Sequence, residues 1–528
     1  MQQRPLNIDV LVVGAGPTGL TAAILLHRLG LRVRIVDQRG GPQRAPAAHA
    51  VNARSFEVWR QAGVNVDLLR AAATSPRDAA ATNWVTKLGG NLLGSLPYER
   101  QGDEMLAVTP TPLRNLSQHR LEPLLVAESL AIGIDVEYST TWVSSVQGDA
   151  FIDTALQSAS GADQNVRAKY LLACDGAGSP IRRSLGIQPI GPAKLQQFLM
   201  VQFEANLRTI VAEQLGILFF VMDPESNGVF VAHDVDHDWV YMHPFDSDVE
   251  PIETFTTTHC EALVRAAMVP NDVPMAVKTV SAWTMTSQVV DRYQAGRIFL
   301  VGDSAHRFPP TGGLGLNTGV QDAHNLAWKI AAVLHGTAGE ELLDSYEAER
   351  RPVAINNGEQ SLTNAFKMIE VPIALGTDPD VGVARNNMDA VLASAEGRAS
   401  VAAAIANQAA HFDMIGLQLG MIYGDERDQS KVDVSRYEPS STPGGRLPHA
   451  WVIREGRSVS TLDLIPLDRY VVFLGPDASM PPGYGLALQM RVDRNDDALQ
   501  RWWTTILGLN DSSVLVVRPD QHIQSRQI

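Results

Sequence analysis

Cysteine is almost absent: the chain carries Cys174 and Cys260 and no others. Two thiols so far apart form neither a CxxC pair nor a zinc-ligand spacing, and they exclude a disulfide framework. A reducing compartment is therefore the expected home. Signals for export and membranes are missing too. MQQRPLNID runs straight into a strand-like segment with no basic-then-apolar leader. No uninterrupted apolar run approaches the length of a membrane span. The expectation is a soluble cytoplasmic protein. Positive charge is in deficit, with a net charge of -15, which argues against a phosphate-backbone partner. There is no block of like charge, no internal repeat and no low-complexity tract. What remains is a chain of 528 residues, long enough for roughly two to four domains around large cores.

The most informative stretch is 296–330, GRIFLVGDSAHRFPPTGGLGLNTGVQDAHNLAWKI. Ile298, Phe299, Leu300 and Val301 read as a buried strand ending at Gly302-Asp303. A loop with two prolines and closely spaced glycines follows, then a helix with apolar Val320, Ala323, Leu326, Ala327 and Ile330. A strand that hands an acid and a glycine loop to a helix start brings backbone close to a large ligand. It also aims N–H groups and the positive helix end at negative charge.

The N-terminus supplies a second such device. IDVLVV, a strand over 8–13, leads into GAGPTG. A helix over 18–29 and a strand over 32–36 follow, ending in Asp37, about 20 residues beyond Gly14 as the dinucleotide fingerprint requires. Gly14 makes the tight turn, Gly16 admits a pyrophosphate, Gly19 lets helix pack on strand, and Asp37 accepts from ribose hydroxyls.

Between these devices, 38–54 reads as a Gly/Pro/Ala-rich loop and 55–63 as a helix. The spacing makes His49 and Arg54 solvent-facing residues. Segment 71–112 reads as irregular, with short strands or a flap. A helix runs over 120–132 with Pro123 in its first turn, where proline is tolerated. Strands are expected over 136–146, 151–156 and 170–174, the last ending in Asp175-Gly176. Segment 198–245 is broken by Asp223-Pro224, Asn227-Gly228 and His237-Asp238, which predicts an antiparallel sheet. Trp239, Tyr241 and His243 alternate onto one face, which either lines a pocket or packs on a helix. A helix follows over 252–267, and SAWTMTSQVV reads as a strand. Segment 384–410 is Ala-rich and helical, 435–447 is a linker, and the remainder forms a small α/β unit. Its strands are expected at STLDLIP, DRYVVFLG, LALQMRV and SSVLVVRPD, around a helix at ALQRWWTTILG.

GAGPTG, CDGAGSPIR and GDSAHRFPPTGGLGLNTGVQDAHNLAWK stand in that order. Together they resemble the flavoprotein aromatic hydroxylases, single-component FAD monooxygenases of the p-hydroxybenzoate hydroxylase fold. PGGRLPHAWV and STLDLIP are similar to the thioredoxin-like appendage of the phenol hydroxylase and 2,4-dichlorophenol 6-monooxygenase branch. The resemblance implies an α/β fold: a Rossmann-like FAD-binding domain (1–190, with a flap at 71–112, continued with helices over 291–430), an inserted antiparallel β-sheet substrate domain (191–290) and a C-terminal thioredoxin-like α/β domain (440–528). It assigns FAD contacts to Gly14, Gly16, Thr18, Gly19, Asp37, Gln38, Arg54, Gln118, Asp175, Gly176, Asp303, Pro310, Gly313, Gly315, Leu316 and Asn317. Pro310 is also placed beside the substrate, with Trp239, Tyr241 and His243.

The implied reaction hydroxylates a phenolic ring with NAD(P)H and O2 through a flavin C4a-hydroperoxide. The alternatives are a larger polyketide or antibiotic-type aromatic as substrate, or a non-catalytic FAD-binding interaction protein. The branch places a substrate-contacting group at His49, which makes this histidine the expected base for the phenol proton. His49 and the sheet are expected across the pocket from 296–330. A single nucleotide fingerprint implies that the nicotinamide docks transiently, and Arg39 and Arg44 would favour a 2′-phosphate and so NADPH. The WxWxIP of flavin halogenases and the FxGxxxHxxxW of Baeyer–Villiger enzymes are both absent. A homodimer is expected from the relatives.

Overall fold

A computed structural model of the chain describes residues 6–425, 427 and 432–528. Its first sheet carries the strands Gln294–Ala295, Ile298–Leu300, Asp163–Ala173, Leu6–Val13, Val33–Val36 and Val136–Glu137 in that spatial order. The four pairings from Ile298–Leu300 to Val136–Glu137 are all parallel. Such strands are buried on both faces, which is why they read as unbroken apolar runs. Val10, Leu11, Val12, Leu171, Leu172, Phe299 and Leu300 are fully enclosed. Helices Pro17–Arg28 and Leu314–Leu334 cover the sheet, each beginning just beyond a strand and its glycine loop.

The second sheet has seven strands, in the order Ala276–Met285, Gln196–Glu204, Asp238–Phe245, Gly228–Asp234, Leu218–Val221, Ala81–Val85 and Leu92–Pro97. Of the short strands or flap expected over 71–112 it takes up the strands, since two of its seven come from there. Ala81–Val85 pairs parallel with Leu218–Val221, so the sheet is not wholly antiparallel. Sequence near 80 gave no hint of a partner more than a hundred residues away, and such long-range pairing is what local patterns miss. One face packs on helix Thr257–Ala266 around Phe203, Phe219, Phe230, Trp239, Tyr241, Cys260 and Val264. The other face is turned toward the first sheet.

Two local expectations change. Helix Gln118–Ala131 begins early enough that Pro123 lies inside it, beyond the first turn. STLDLIP forms a short 3-10 turn, Thr461–Leu464, capped by the Ser460 side chain rather than a strand. The C-terminal unit builds a four-stranded sheet of Leu488–Arg491, Val471–Leu474, Val514–Val517 and Ile523–Gln527 around Phe473, Trp502 and Trp503. Its last strand lies in the tail RPDQHIQSRQI. Buried charges fasten it to the first sheet's helices: Arg446 reaches Glu57, and Arg518 donates to Glu349 at 2.6 Å. No helix among the described residues is long and apolar enough to cross a membrane.

Candidate functional site

Parallel register brings the three motif loops together. Val13 lies opposite Ala173, and Ala173 opposite Leu300. All three strands therefore end at one edge of the sheet, the edge where open α/β sheets bind ligands. Gly14 turns there with φ 105°, and a Cβ on it would stand 2.1 Å from the Cys174 carbonyl oxygen. Arg182 ties the second loop to the third, donating to the carbonyls of Ala177 and Ser304 at 3.0 Å each. A cavity of about 1210 Å³ opens from this edge and runs to the second sheet.

The sheet end of that cavity is built for hydroxyl-rich and anionic groups. Asp37 accepts from the Ala15 N–H at 2.7 Å, on the first glycine loop. Asp175 has one buried carboxylate oxygen without a partner, and burial raises its pKa. Asp303 presents its carboxylate to the cavity; protein walls enclose it and raise its pKa, although the cavity side is open to solvent. Acceptor-only groups of this kind match the hydroxyls of a ribose or a ribityl chain. Helix Leu314–Leu334 starts at Gly313, whose left-handed φ of 62° turns the chain so that Leu314, Gly315 and Leu316 line the cavity. The positive end of a 21-residue helix thus faces the space beside Pro310.

The far end is apolar. Strand alternation sends Val240 and Met242 into the cavity, beside Met200 and Phe220, while Phe198 and Trp283 stack at 5.4 Å on the same wall. Leu362, Phe366 and Phe412 also line the cavity. Polar groups are few. His49 stands where the two ends meet, because its neighbour Ala50 abuts the left-handed Gly313 and its ring lies 5.6 Å edge-on from that of His233. Tyr98 stacks on the other side of His49 at 6.2 Å. Burial lowers the pKa of His49, partly offset by Asn115, and pushes His233 well below its ordinary value. Both rings are therefore neutral near pH 7.

A sequence profile for an FAD binding domain matches residues 7–361. A putative polyketide hydroxylase of Streptomyces halstedii is 32% identical, over 98% of this chain and 93% of that protein. The 2,4-dichlorophenol 6-monooxygenase of Cupriavidus pinatubonensis is 30% identical, over 99% of this chain and 93% of that protein. The chain belongs to the flavoprotein aromatic hydroxylases. Among solved structures, the flavin-dependent monooxygenase PieE, in complex with FAD and substrate, matches with a TM-score of 0.89 at 30% identity, over 99% of this chain and 96% of that one. The hydroxylase is an FAD-dependent monooxygenase of aromatic substrates, and NAD(P)H is the usual reductant of its family.

Most of the residues assigned to FAD line the cavity of this hydroxylase: Gly14, Gly16, Thr18, Asp37, Gln38, Gln118, Asp175, Gly176, Asp303, Pro310, Gly313, Gly315 and Leu316. Gly19 instead packs the first helix down, its α-carbon too close to the Gly14 carbonyl for any side chain. Asn317 faces away from the cavity and cross-links the helix start to Asn52, Ser55 and Ala50. Arg54 lies farther off, buried against Glu57, Gln521 and the Asp520 carbonyl, so it fastens the C-terminal unit. Trp239 and Tyr241 point into the core on the helix side, and His243 bonds the Asn227 carbonyl at 3.0 Å. The period of two was right and the face was the other one. Arg39 is held between Asp37 and Glu122 and so is not free for a 2′-phosphate; Arg44 is exposed. His49 is beside the 310–316 loop rather than across from it.

Sequence reading missed His233, Tyr98 and Glu99. His233 was visible only as the last residue of GVFVAH, and the other two lay inside the segment read as short strands or a flap. Glu99 has a left-handed backbone, φ 50°, and accepts from the Met414 N–H and the Gln418 side chain. Burial raises its pKa from 4.5 to about 7. Between those values the folded chain keeps a proton the unfolded chain has lost, so stability falls as pH rises through the window. Glu99→Gln is expected to remove that loss, worth up to about 2 kcal/mol after discounting for its open cavity side. Thermal unfolding near pH 5 and near pH 8 checks this: the variant's advantage should grow with pH, and an equal gap at both would refute it.

Proposed function

We propose that this hydroxylase acts on a multi-ring phenol. The observation that carries the reading is the ring-walled apolar chamber, in which the Phe198–Trp283 stack offers a platform much broader than one phenol needs. His49, His233 and Glu99 are among the polar groups that line the chamber, so a large planar substrate would seat one hydroxyl on them and leave its remaining rings against the sheet.

FAD, when bound and reduced, supplies the activation of O2 and the transfer of one oxygen atom to the ring. Asp37, Asp175, Asp303 and the 310–316 loop would hold it, with the start of helix Leu314–Leu334 beside the negative charge of its reduced form. The apolar walls exclude water from the reacting end. An unperturbed phenol has a pKa of about 10 and is mostly protonated at pH 7. Its hydroxyl proton passes to Nε2 of neutral His49, which leaves an electron-rich phenolate ring. As lines of the same reading, the C-terminal unit is a thioredoxin-like fold without cysteine that serves as a docking and bracing element, the protein works in the cytoplasm, and it pairs as a homodimer.

The test is coupled NAD(P)H oxidation with product mass, run on single-ring phenols, salicylates and phenols of three or four fused rings. Fused-ring phenols should exceed single-ring phenols by at least about tenfold in kcat/KM, a modest differential of about 1.4 kcal/mol. The reverse order would overturn the substrate class. A yellow protein whose NAD(P)H oxidation responds to no aromatic would instead favour a non-catalytic FAD-binding role.

A further inference from the structure

The orientation of the hydrogen bonds around His49 can be read outward from fixed backbone groups. Gln101 Nε2 donates to two backbone carbonyls, Ala79 and Tyr98, at 3.0 Å each. Its amide cannot be turned, because the reverse would set an oxygen against two carbonyl oxygens. Gln101 Oε1 therefore faces Asn115, and only the Asn115 NH2 can meet it, at 3.2 Å. That leaves Asn115 Oδ1 toward His49 Nδ1, at 2.9 Å. An amide oxygen only accepts, so Nδ1 must carry the hydrogen. A neutral ring protonated at Nδ1 has its lone pair at Nε2, and Nε2 has no hydrogen-bond partner among the described residues and is not sealed from the cavity.

The backbone holds the same three residues in place. Ala50 and Asn115 pair in a two-stranded ladder, and the Leu116 N–H donates to the His49 carbonyl at 2.8 Å. Arg114 Nη1 donates to the Gln101 carbonyl at 2.6 Å, and the Thr74 N–H to the Asn115 carbonyl at 2.8 Å. Asn115 is 1% exposed and Gln101 6%, so water does not compete for the chain.

We infer that Gln101 and Asn115 are positioning residues that fix the neutral tautomer of His49, with hydrogen on Nδ1 and the lone pair of Nε2 turned into the substrate chamber. The inference rests on the reading of His49 as the phenol base, because it supplies the atom that takes the proton. An isolated histidine side chain prefers the opposite tautomer, with hydrogen on Nε2, which could not accept. The charged or titratable groups facing His49 are His233 and Tyr98 on either side; His119 stands behind His233, with Asp238 at 3.0 Å from it, and Arg120 donates to the His233 carbonyl.

The decisive measurement is a nitrogen–proton correlation spectrum of the FAD-loaded protein labelled with nitrogen-15 only at histidine, recorded near pH 8. The His49 signals are identified by their loss in His49→Gln. The wild type should show the pattern of hydrogen on Nδ1. Asn115→Leu should convert it to hydrogen on Nε2, and Gln101→Met, which leaves Asn115 in place but free to turn, should give a mixture. Asn115→Asp keeps an acceptor opposite Nδ1 and should retain the wild-type tautomer, while its carboxylate moves the acid limb of the kcat profile to higher pH. In Asn115→Leu, kcat for a phenolic substrate should fall about tenfold with KM within about twofold. Hydrogen on Nε2 in the wild type, or an unchanged tautomer in Asn115→Leu, overturns the inference. A converted tautomer with undiminished coupled hydroxylation would leave the positioning intact and remove His49 as the base.

Discussion

Asp322→Ala should cost about 3–5 kcal/mol of stability and strip the protein of most of its FAD. Asp322 sits on the underside of helix Leu314–Leu334, fully buried. One oxygen accepts from Arg350 Nε at 2.7 Å; the other takes His306 Nε2 at 2.8 Å and the Gly302 N–H at 3.3 Å. Burial alone would raise the Asp322 pKa, but Arg350 and His306 together hold it below its ordinary value. The remaining contacts of Arg350, the Thr318 carbonyl at 3.2 Å and the Tyr423 hydroxyl at 3.4 Å, carry no full charge. Alanine would therefore leave a guanidinium enclosed with no counter-ion, the arrangement that makes breaking a buried pair so much worse than never having one. The damage would reach the cofactor because Gly302 precedes Asp303. Losing the bond to the Gly302 N–H loosens the turn that presents the Asp303 carboxylate. The checks are the unfolding midpoint and the flavin absorbance per protein. An Asp322→Ala protein with wild-type values of both would show that the buried charges are dispensable.

Asp322 also illustrates what a sequence can and cannot disclose. The stretch 296–330 announced its strand, its turn and its helix, because the apolar periods of a buried strand and an amphipathic helix are local properties. Asp303 was legible as the acid at a strand end. Asp322, within VQDAHN, has the same residue type and carries no such mark. Its value lies in Arg350, one helix later, and no spacing rule connects the two. The same holds for Arg54. It sits at the head of a helix near the glycine loops, where a ligand contact is a natural expectation, yet besides Glu57 it is tied to residues 520 and 521, more than four hundred residues along the chain. For the sheet, alternation correctly grouped Trp239, Tyr241 and His243, but periodicity is blind to which of two apolar faces meets a helix and which meets a cavity. The large aromatics went to the core of Phe230 and Val264, and the chamber received Val240 and Met242. The sheet that residues 81–97 join was missed for a related reason: their strands are completed by a parallel neighbour at 218–221, and local sequence does not record a distant partner.

His49→Gln should lower coupled hydroxylation of a phenol by about a hundredfold or more, the usual range for a lost acid–base group. FAD content and the rate of flavin reduction should stay within about twofold, since the ring makes no hydrogen bond to the glycine loops among the described residues. The substrate would still bind, because the apolar chamber is untouched, and reducing equivalents would appear as hydrogen peroxide instead of product. Two further signatures separate a lost base from a merely disturbed pocket. A phenol with a pKa near 10 gains a larger phenolate fraction as pH rises, so the deficit should shrink at alkaline pH. A phenol acidified by halogen or nitro substituents is already ionised near pH 7, and with it the variant should approach wild-type coupling at neutral pH. Disturbed packing would penalise both classes of substrate equally and would not respond to pH. Glutamine at 49 can still donate an N–H to Asn115 Oδ1, so the Gln101–Asn115 chain keeps a partner and the ladder between Ala50 and Asn115 is preserved. A deficit that follows the substrate's own pKa would place the proton acceptor at Nε2 of His49, whereas unchanged coupled turnover would exclude it.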